Sequence, residues 1–304
     1  VVGAAAVGIH LWRDLMLLCR LRKIERQKED QPFAELLNRV RVGQVTDADL
    51  EILNSRVVGR PGLEKALEDP EVRDAVHLFP TNAAVDAHNE TRLQELLKEE
   101  KSKAVASGLD PDSEAVHLHV KAFDDFDKSA GMTKDKYKGR FEALIPKEKD
   151  QTGALPSDIH LVRGLPVMLR KNVNVQDGLV NGSCGRVVHW SAKGEVVYVR
   201  FHKVAGRLVG QQTRQKHKKL LQGGLLNDPT IVPIVHEEAT FKAAGGSSYR
   251  MRRIMLPLVV SYASTVHKAQ GMSLERVVLD LGSNTLQPAM AYVALSRVTS
   301  LKGL

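Results

Sequence analysis

Seven consecutive residues, Thr265-Val-His-Lys-Ala-Gln-Gly271, gather a hydroxyl, an imidazole, an ammonium and a carboxamide on one short stretch closed by glycine. Such a stretch suits a phosphate: Thr265 offers a hydroxyl, His267 and Lys268 offer donors, and Gln270 can orient a water or an oxyanion. Gly271 lets a second backbone approach. Further on, Tyr292-Val-Ala-Leu-Ser-Arg297 ends an apolar helical run on a guanidinium. A guanidinium so placed can reach across a cleft and neutralise charge on a transferred phosphoryl group. Both patterns have plainer readings. Polar residues at a surface helix start simply face water, and an arginine at a helix C-terminus suits the helix dipole. Arg26-Gln27, after another apolar stripe, carries little weight alone.

The elements that must position these residues can be read from periodicity. Residues 10–29 carry a helical stripe through Leu11, Leu15, Leu18, Leu21 and Ile24. Asp30 offers an N-cap, Pro32 a first-turn residue and Gly43 a stop for the helix between them. Thr46-Asp-Ala-Asp49 resembles a capping box with Asp in the place of Glu. Val76-His-Leu-Phe79, Pro80 and then Thr81-Asn82 opening a long helix make a strand–turn–helix unit of an α/β sheet. Periodicity is weak over 104–157, where irregular structure is expected. From about 158 the pattern turns to short strands: 160–169, 179–188 and 195–201, with turn signals at Asn181-Gly182 and Lys193-Gly194. Their close spacing suggests a small barrel, with 250–258 as its last strand. The α/β style resumes after 259: a strand, the polar turn opening a helix, a strand over Arg276–Leu281, and a helix from about Gln287.

The 304 residues suffice for about two domains. A hydrophobic fraction of 43% with 26% charged residues fits a globular chain with a sizeable core. A net charge of +8 points to a polyanionic partner, nucleic acid first. Cys19 and Cys184 stand far apart without metal spacing, so both read as reduced thiols, and no metal site is read anywhere in the chain. The apolar start, residues 1–9, is too short to span a bilayer, and no membrane partner is expected. A first residue of Val and a last of Leu304 read as cuts in a longer sequence.

Five ordered stretches together resemble one family. Thr265–Gly271, the strand region after it and Tyr292–Arg297 are similar to motifs five and six of superfamily-one, subgroup B helicases. Within these they are most similar to the petite-integration-frequency (Pif) family, relatives of RecD. Arg26-Gln-Lys-Glu-Asp-Gln-Pro-Phe-Ala-Glu-Leu-Leu-Asn-Arg39, Leu78-Phe-Pro-Thr-Asn82, and Val167-Met-Leu-Arg-Lys-Asn172 with Leu179-Val-Asn-Gly-Ser183 agree with it.

The resemblance implies an α/β fold: a second RecA-like (P-loop NTPase-like) domain over 1–157 and 257–304, with an SH3-like β-barrel inserted at 158–256. It implies ATP and Mg²⁺ as cofactors, held mainly by a preceding RecA-like domain, and single-stranded DNA as partner. Arg26 and Arg297 match the family's arginines aimed at the γ-phosphate, with Gln27, Gln270 and Gly271 near the same cleft. Thr81, Asn82, Thr265, His267 and Lys268 would face the DNA backbone, and Lys171 and Asn172 would guide DNA along the barrel. The expected location of the chain is intracellular, in the nucleus or mitochondrion. The chain departs from the family in one respect. It contains no Gly-Lys and no Asp-Glu dipeptide, hence neither a P-loop nor the acidic pair for the metal. By itself it is expected to be inactive as an ATPase. A degenerate relative that only binds single-stranded nucleic acid is the alternative. A protein-binding groove on the barrel has little to draw on beyond Trp190, Tyr198 and Phe201.

Overall fold

The computed structural model describes residues 16–17, 24–58, 69–127, 141–146, 149–203, 206–245, 249–282 and 289–304. Most of the stripe expected over 10–29, and the expected helix start at Gln287-Pro288, lie outside them. In chain order the elements that matter are α1 (Gln31–Val42), α2 (Asp47–Asn54), β1 (Val76–Phe79), α3 (Asn82–Ala106), β2 (His117–Lys121), β3 (Phe123–Phe126), β4 (Asp158–Val162), β5 (Pro166–Leu169), β6 (Cys184–Trp190) and β7 (Val196–Phe201). There follow α4 (Gln211–Lys216), β8 (Ile231–Val235), β9 (Glu237–Lys242), β10 (Arg250–Met255), β11 (Leu258–Val260), β12 (Ala263–Thr265), β13 (Val277–Leu279) and α5 (Met290–Leu295).

Local chemistry sets the helix ends. The Asp30 side chain accepts from the Phe33 N–H, Pro32 sits in the first turn, and Gly43 closes α1 at φ 72°, a left-handed conformation that glycine adopts without strain. Thr46 and Asp49 form the reciprocal capping box at α2, and Asp49 also receives a two-pronged Arg39. Thr81 caps α3 by accepting from Ala84 N–H.

Three parallel strands in the order β12-β1-β13 form the α/β sheet. Leu78 from its centre packs with Phe33 and Leu37 of α1, with Val266 and Ala269 of the polar turn, and with Met290, Ala294 and Leu295 of α5. A second, larger core lies under the antiparallel sheet β11-β5-β6-β7-β8 and reaches Leu93 and Leu97 of α3.

The expected barrel is, among the described residues, an open sheet with β11 and β8 at its two ends. The strand expected to complete it, β10, pairs instead with β9 and β3 in a separate antiparallel sheet. Arg253 fixes that choice: its guanidinium grips Asp124 of β3 with both prongs, at 2.8 and 2.9 Å, and the arginine is 3% exposed. The 104–157 stretch also differs from expectation. It contains β2 and β3, whose paired residues on β4 and β10 lie 37 to 45 and 125 to 131 positions away in sequence, so local periodicity had little to reveal. Residues 214–219, where arginine and lysines cluster, fold into α4 and the turn after it. Arg214 there spends its guanidinium on the carbonyls of Ile231, Leu225 and Leu226.

Candidate functional site

The turn between β12 and β13 joins two clusters of the side chains that the sequence singles out. It is not the helix start expected from sequence: residues 266–271 form successive tight turns. Backbone N–H groups of Val266, Ala269, Gln270 and Met272 already donate to Phe79, Thr265, His267 and Ala269 carbonyls, and Lys268 N–H donates to the Thr265 hydroxyl. The backbone donors that a helix start would leave open to a phosphate are therefore largely consumed. Gly271 stands at φ 90° with no atom within 4 Å of where a side chain would begin, so its role here is to permit that backbone. Gln270 and His267 are exposed on the same turn.

On one side of the turn the two arginines converge. Arg26 Nε donates to Ser273 Oγ at 2.8 Å and its Nη1 to the Ser296 carbonyl at 3.1 Å. Arg297 Nη2 donates to Ser296 Oγ at 2.7 Å and Nε to the Val293 carbonyl at 2.7 Å. Its Nη1 reaches the carbonyls of Ala269 and Met272, each at 3.5 Å. Gln27 lies beneath, 4% exposed, donating to the carbonyls of Val298 at 2.6 Å and Ser296 at 3.3 Å. Asp30 ties this turn down from the other end, since its second oxygen accepts from Leu301 N–H at 3.0 Å. Among the described residues no carboxylate pairs with either arginine. Burial first, and then the Arg26 charge, pulls the Arg297 guanidinium below its ordinary range. Two cations held together on neutral acceptors in a half-buried place create a site for an anion.

On the other side lies a groove of about 750 Å³ between the start of α3, the end of β12 and the β4–β5 segment. Thr265, 5% exposed, and Lys268 line it together with Asn82, whose Oδ1 accepts from Lys268 Nζ at 3.1 Å. Thr81 does not line it, and its hydroxyl is engaged as the cap of α3. Asn89 of α3 braces the groove floor: its Oδ1 accepts from Ala263 N–H at 2.9 Å and its Nδ2 donates to the Val260 carbonyl at 3.5 Å. The groove is electrically mixed, with Lys268 and Arg170 against Asp86, Glu90 and Asp158.

The structure thus brings Arg26, Gln27 and Arg297 together, and separately Asn82, Thr265 and Lys268. It does not bring Lys171 and Asn172 to the groove lining. Lys171 donates to the Glu238 carbonyl at 2.8 Å and lies 3.7 Å from Glu237, while Asn172 Oδ1 accepts from Asn181 N–H at 2.8 Å and shapes its own loop. Their neighbour Arg170 lines the groove instead. Sequence reasoning also missed Ser273, Ser296 and Asn89. The serines stand inside or beside the motifs that carried the arginines, so proximity in the motif was the available signal. Asn89 had none beyond its place on the helix.

Comparison with known proteins bears on the family and the fold. Residues 150–190 match the family model of the DNA helicase Pif1 2B domain. The chain is 30% identical to the human ATP-dependent DNA helicase PIF1 over 96% of its own length, and spans 35% of that protein. The crystal structure of Pif1 helicase from Candida albicans aligns with 97% of this chain at a TM-score of 0.60 and 22% identity, over 57% of its own length. A Bacteroides Pif1 structure bound to single-stranded DNA aligns with 92% of the chain at 0.53 and 20% identity, over 49% of its own length. The mixed α/β fold is that of Pif1 helicase structures, and the chain spans about a third of the human relative's length. By sequence and by fold together, the chain is a relative of the Pif1 helicases.

Proposed function

We propose that this chain forms the C-terminal half of an ATP-dependent 5′-to-3′ DNA helicase. In this reading Arg26 and Arg297 serve as the cationic jaw that closes on ATP. The supporting observation is their convergence on Ser296 without a carboxylate partner among the described residues. An ATP polyphosphate with its Mg²⁺ supplies the energy of the cycle, and the residues fit its charge: two guanidiniums on neutral acceptors gain an anion without first losing one. The phosphate cradle and metal ligands would come from a preceding RecA-like domain, because this sequence has neither. The chain alone is then not an ATPase.

Within such an assembly Gln27 holds the Ser296–Val298 backbone at a fixed height, so that Arg26 and Arg297 stay in register with each other. Asn82, Thr265 and Lys268 would contact the phosphates of single-stranded DNA. The turn at 266–271 links the two clusters, since its Ala269 and Met272 carbonyls hold Arg297 while its first residues line the groove. Movement of the arginines on nucleotide would therefore reach the DNA side through only a few residues.

The test joins this chain to a P-loop half and measures DNA-stimulated ATP hydrolysis. Arg26→Ala and Arg297→Ala are each expected to lower turnover by about 10³–10⁵-fold, the usual contribution of an arginine finger. Near-normal turnover in either variant removes that residue from the jaw.

A further inference from the structure

A second constellation lies outside both clusters, on the two-stranded ribbon of β2 and β4. His119 stands directly opposite His160 in the antiparallel register, and His117 and Asp158 each lie two residues earlier on their own strands. A period of two puts all four on one face. The other face, Leu118, Val120, Ile159 and Leu161, is buried in the large core, which fixes the ribbon's orientation. The four polar residues touch: His119 Nε2 lies 2.9 Å from Asp158 Oδ2, and His117 Nε2 lies 2.8 Å from His160 Nδ1. The His119 and His160 rings stack at 4.0 Å and 6°.

From this arrangement we infer a binding site for a borderline divalent transition metal, zinc by preference, with His119, Asp158 and His160 as ligands. Two imidazoles and a carboxylate are a zinc donor set, with a fourth position left for solvent or an incoming oxygen ligand. The three ligand atoms already lie within 4.8 Å of one another. Tetrahedral ligands at about 2.1 Å from zinc stand about 3.4 Å apart, so the 2.9 Å His119–Asp158 contact opens slightly as His160 moves in. That takes a χ2 turn of one ring out of the stack, and this torsion is broad and soft.

His117 is a positioning residue in this scheme. Engaged at His160 Nδ1, it leaves Nε2 for the metal and fixes the ring's tautomer, as outer partners of metal-bound histidines usually do. Glu90, whose charge also acts on His160, adds a second negative group near the cation. Asp158 and His160 also line the groove, so the metal would sit on its wall; binding itself does not depend on the reading of the groove. The sequence carried a faint signal, His-x-His on one strand and Asp-x-His on another, 39 residues apart at their nearest members and joined only by strand pairing.

Calorimetric titration of the purified chain with Zn²⁺, without nucleic acid or nucleotide, tests the site, with Co²⁺ as a spectroscopic probe. One equivalent is expected to bind at micromolar or tighter affinity, and Co²⁺ to give the visible bands of a low-coordinate imidazole site. His119→Ala and Asp158→Asn, both at side chains that are partly exposed, 33% and 43%, should fold normally by circular dichroism and lose the site. His117→Ala should weaken binding about 10–100-fold, and His217→Ala should leave it unchanged. Zn²⁺ binding that is absent, or that survives unchanged in a His119→Ala, His160→Ala double variant, overturns the assignment.

Discussion

Two arginines in this molecule are almost equally buried and are partnered in opposite ways. Arg253 is 3% exposed and Arg297 is 7% exposed. Arg253 closes a two-pronged ion pair with Asp124 and donates its remaining nitrogen to the Leu155 carbonyl at 3.1 Å. Arg297 has carbonyls, a serine hydroxyl and, nearby, a second positive charge. A desolvated cation is tolerated only if something offsets the lost hydration. For Arg253 the offset is inside the fold, so its chemistry is complete and structural. For Arg297 it is partial, and an anion arriving from outside would complete it. Burial alone therefore does not distinguish the two arginines; the presence or absence of a counter-charge does.

That contrast can be broken most directly by making the same change at both places. Arg297→Met, in an assembly with a P-loop half, should cut ATP turnover by about 10³–10⁵-fold while lowering unfolding free energy by only about 1 kcal/mol, the net value of ordinary hydrogen bonds. Arg253→Met should do the reverse. It strands Asp124 against the core and should cost about 3–5 kcal/mol in denaturant titrations. Equal stability losses at the two sites would mean that the comparison has been misread.

A smaller effect separates the arginine cluster from the groove. Lys268→Ala should weaken single-stranded DNA binding and reduce the slope of log affinity against log salt by about 0.7, the share of one phosphate contact. An unchanged slope would place DNA elsewhere. The last effect concerns the strand beneath both clusters. His77 on β1 stacks on His88 at 4.2 Å, and burial first, then the charges of His88 and Arg92, holds it down to about 4 from 6.5. Because the unfolded chain takes up the proton at higher pH than the folded one, stability should fall as pH drops from 6.5 to 4 and level off below that. Melting curves across that range should show the decline, and His77→Phe should flatten it.

Much of the α/β half could be read directly from local sequence. Asp30, Pro32 and Gly43 bracket α1, Thr46 and Asp49 cap α2, and Val76–Phe79 followed by Thr81 give β1 and the start of α3, because caps and short apolar runs are local chemistry. The β half was much less legible. β10 has the composition of a barrel strand, but its partners are chosen by a charge 129 residues away, Asp124. Lys171 and Asn172 have the right types for a nucleic-acid contact, and their local bonds turn them to other work while Arg170 takes the groove.

Residue types and spacing determined that Thr265 and Lys268 have the chemistry for phosphate, and the family resemblance, also read from sequence, singled out Arg26 and Arg297. Tertiary structure alone decided that Arg26 and Arg297, 271 positions apart, share one serine, and that Arg170 rather than Lys171 lines the groove. The physical reason is range. Hydrogen-bond caps and hydrophobic periods act over a few residues, whereas the pairing of charges and strands is settled only when the whole chain has chosen which surfaces to bury.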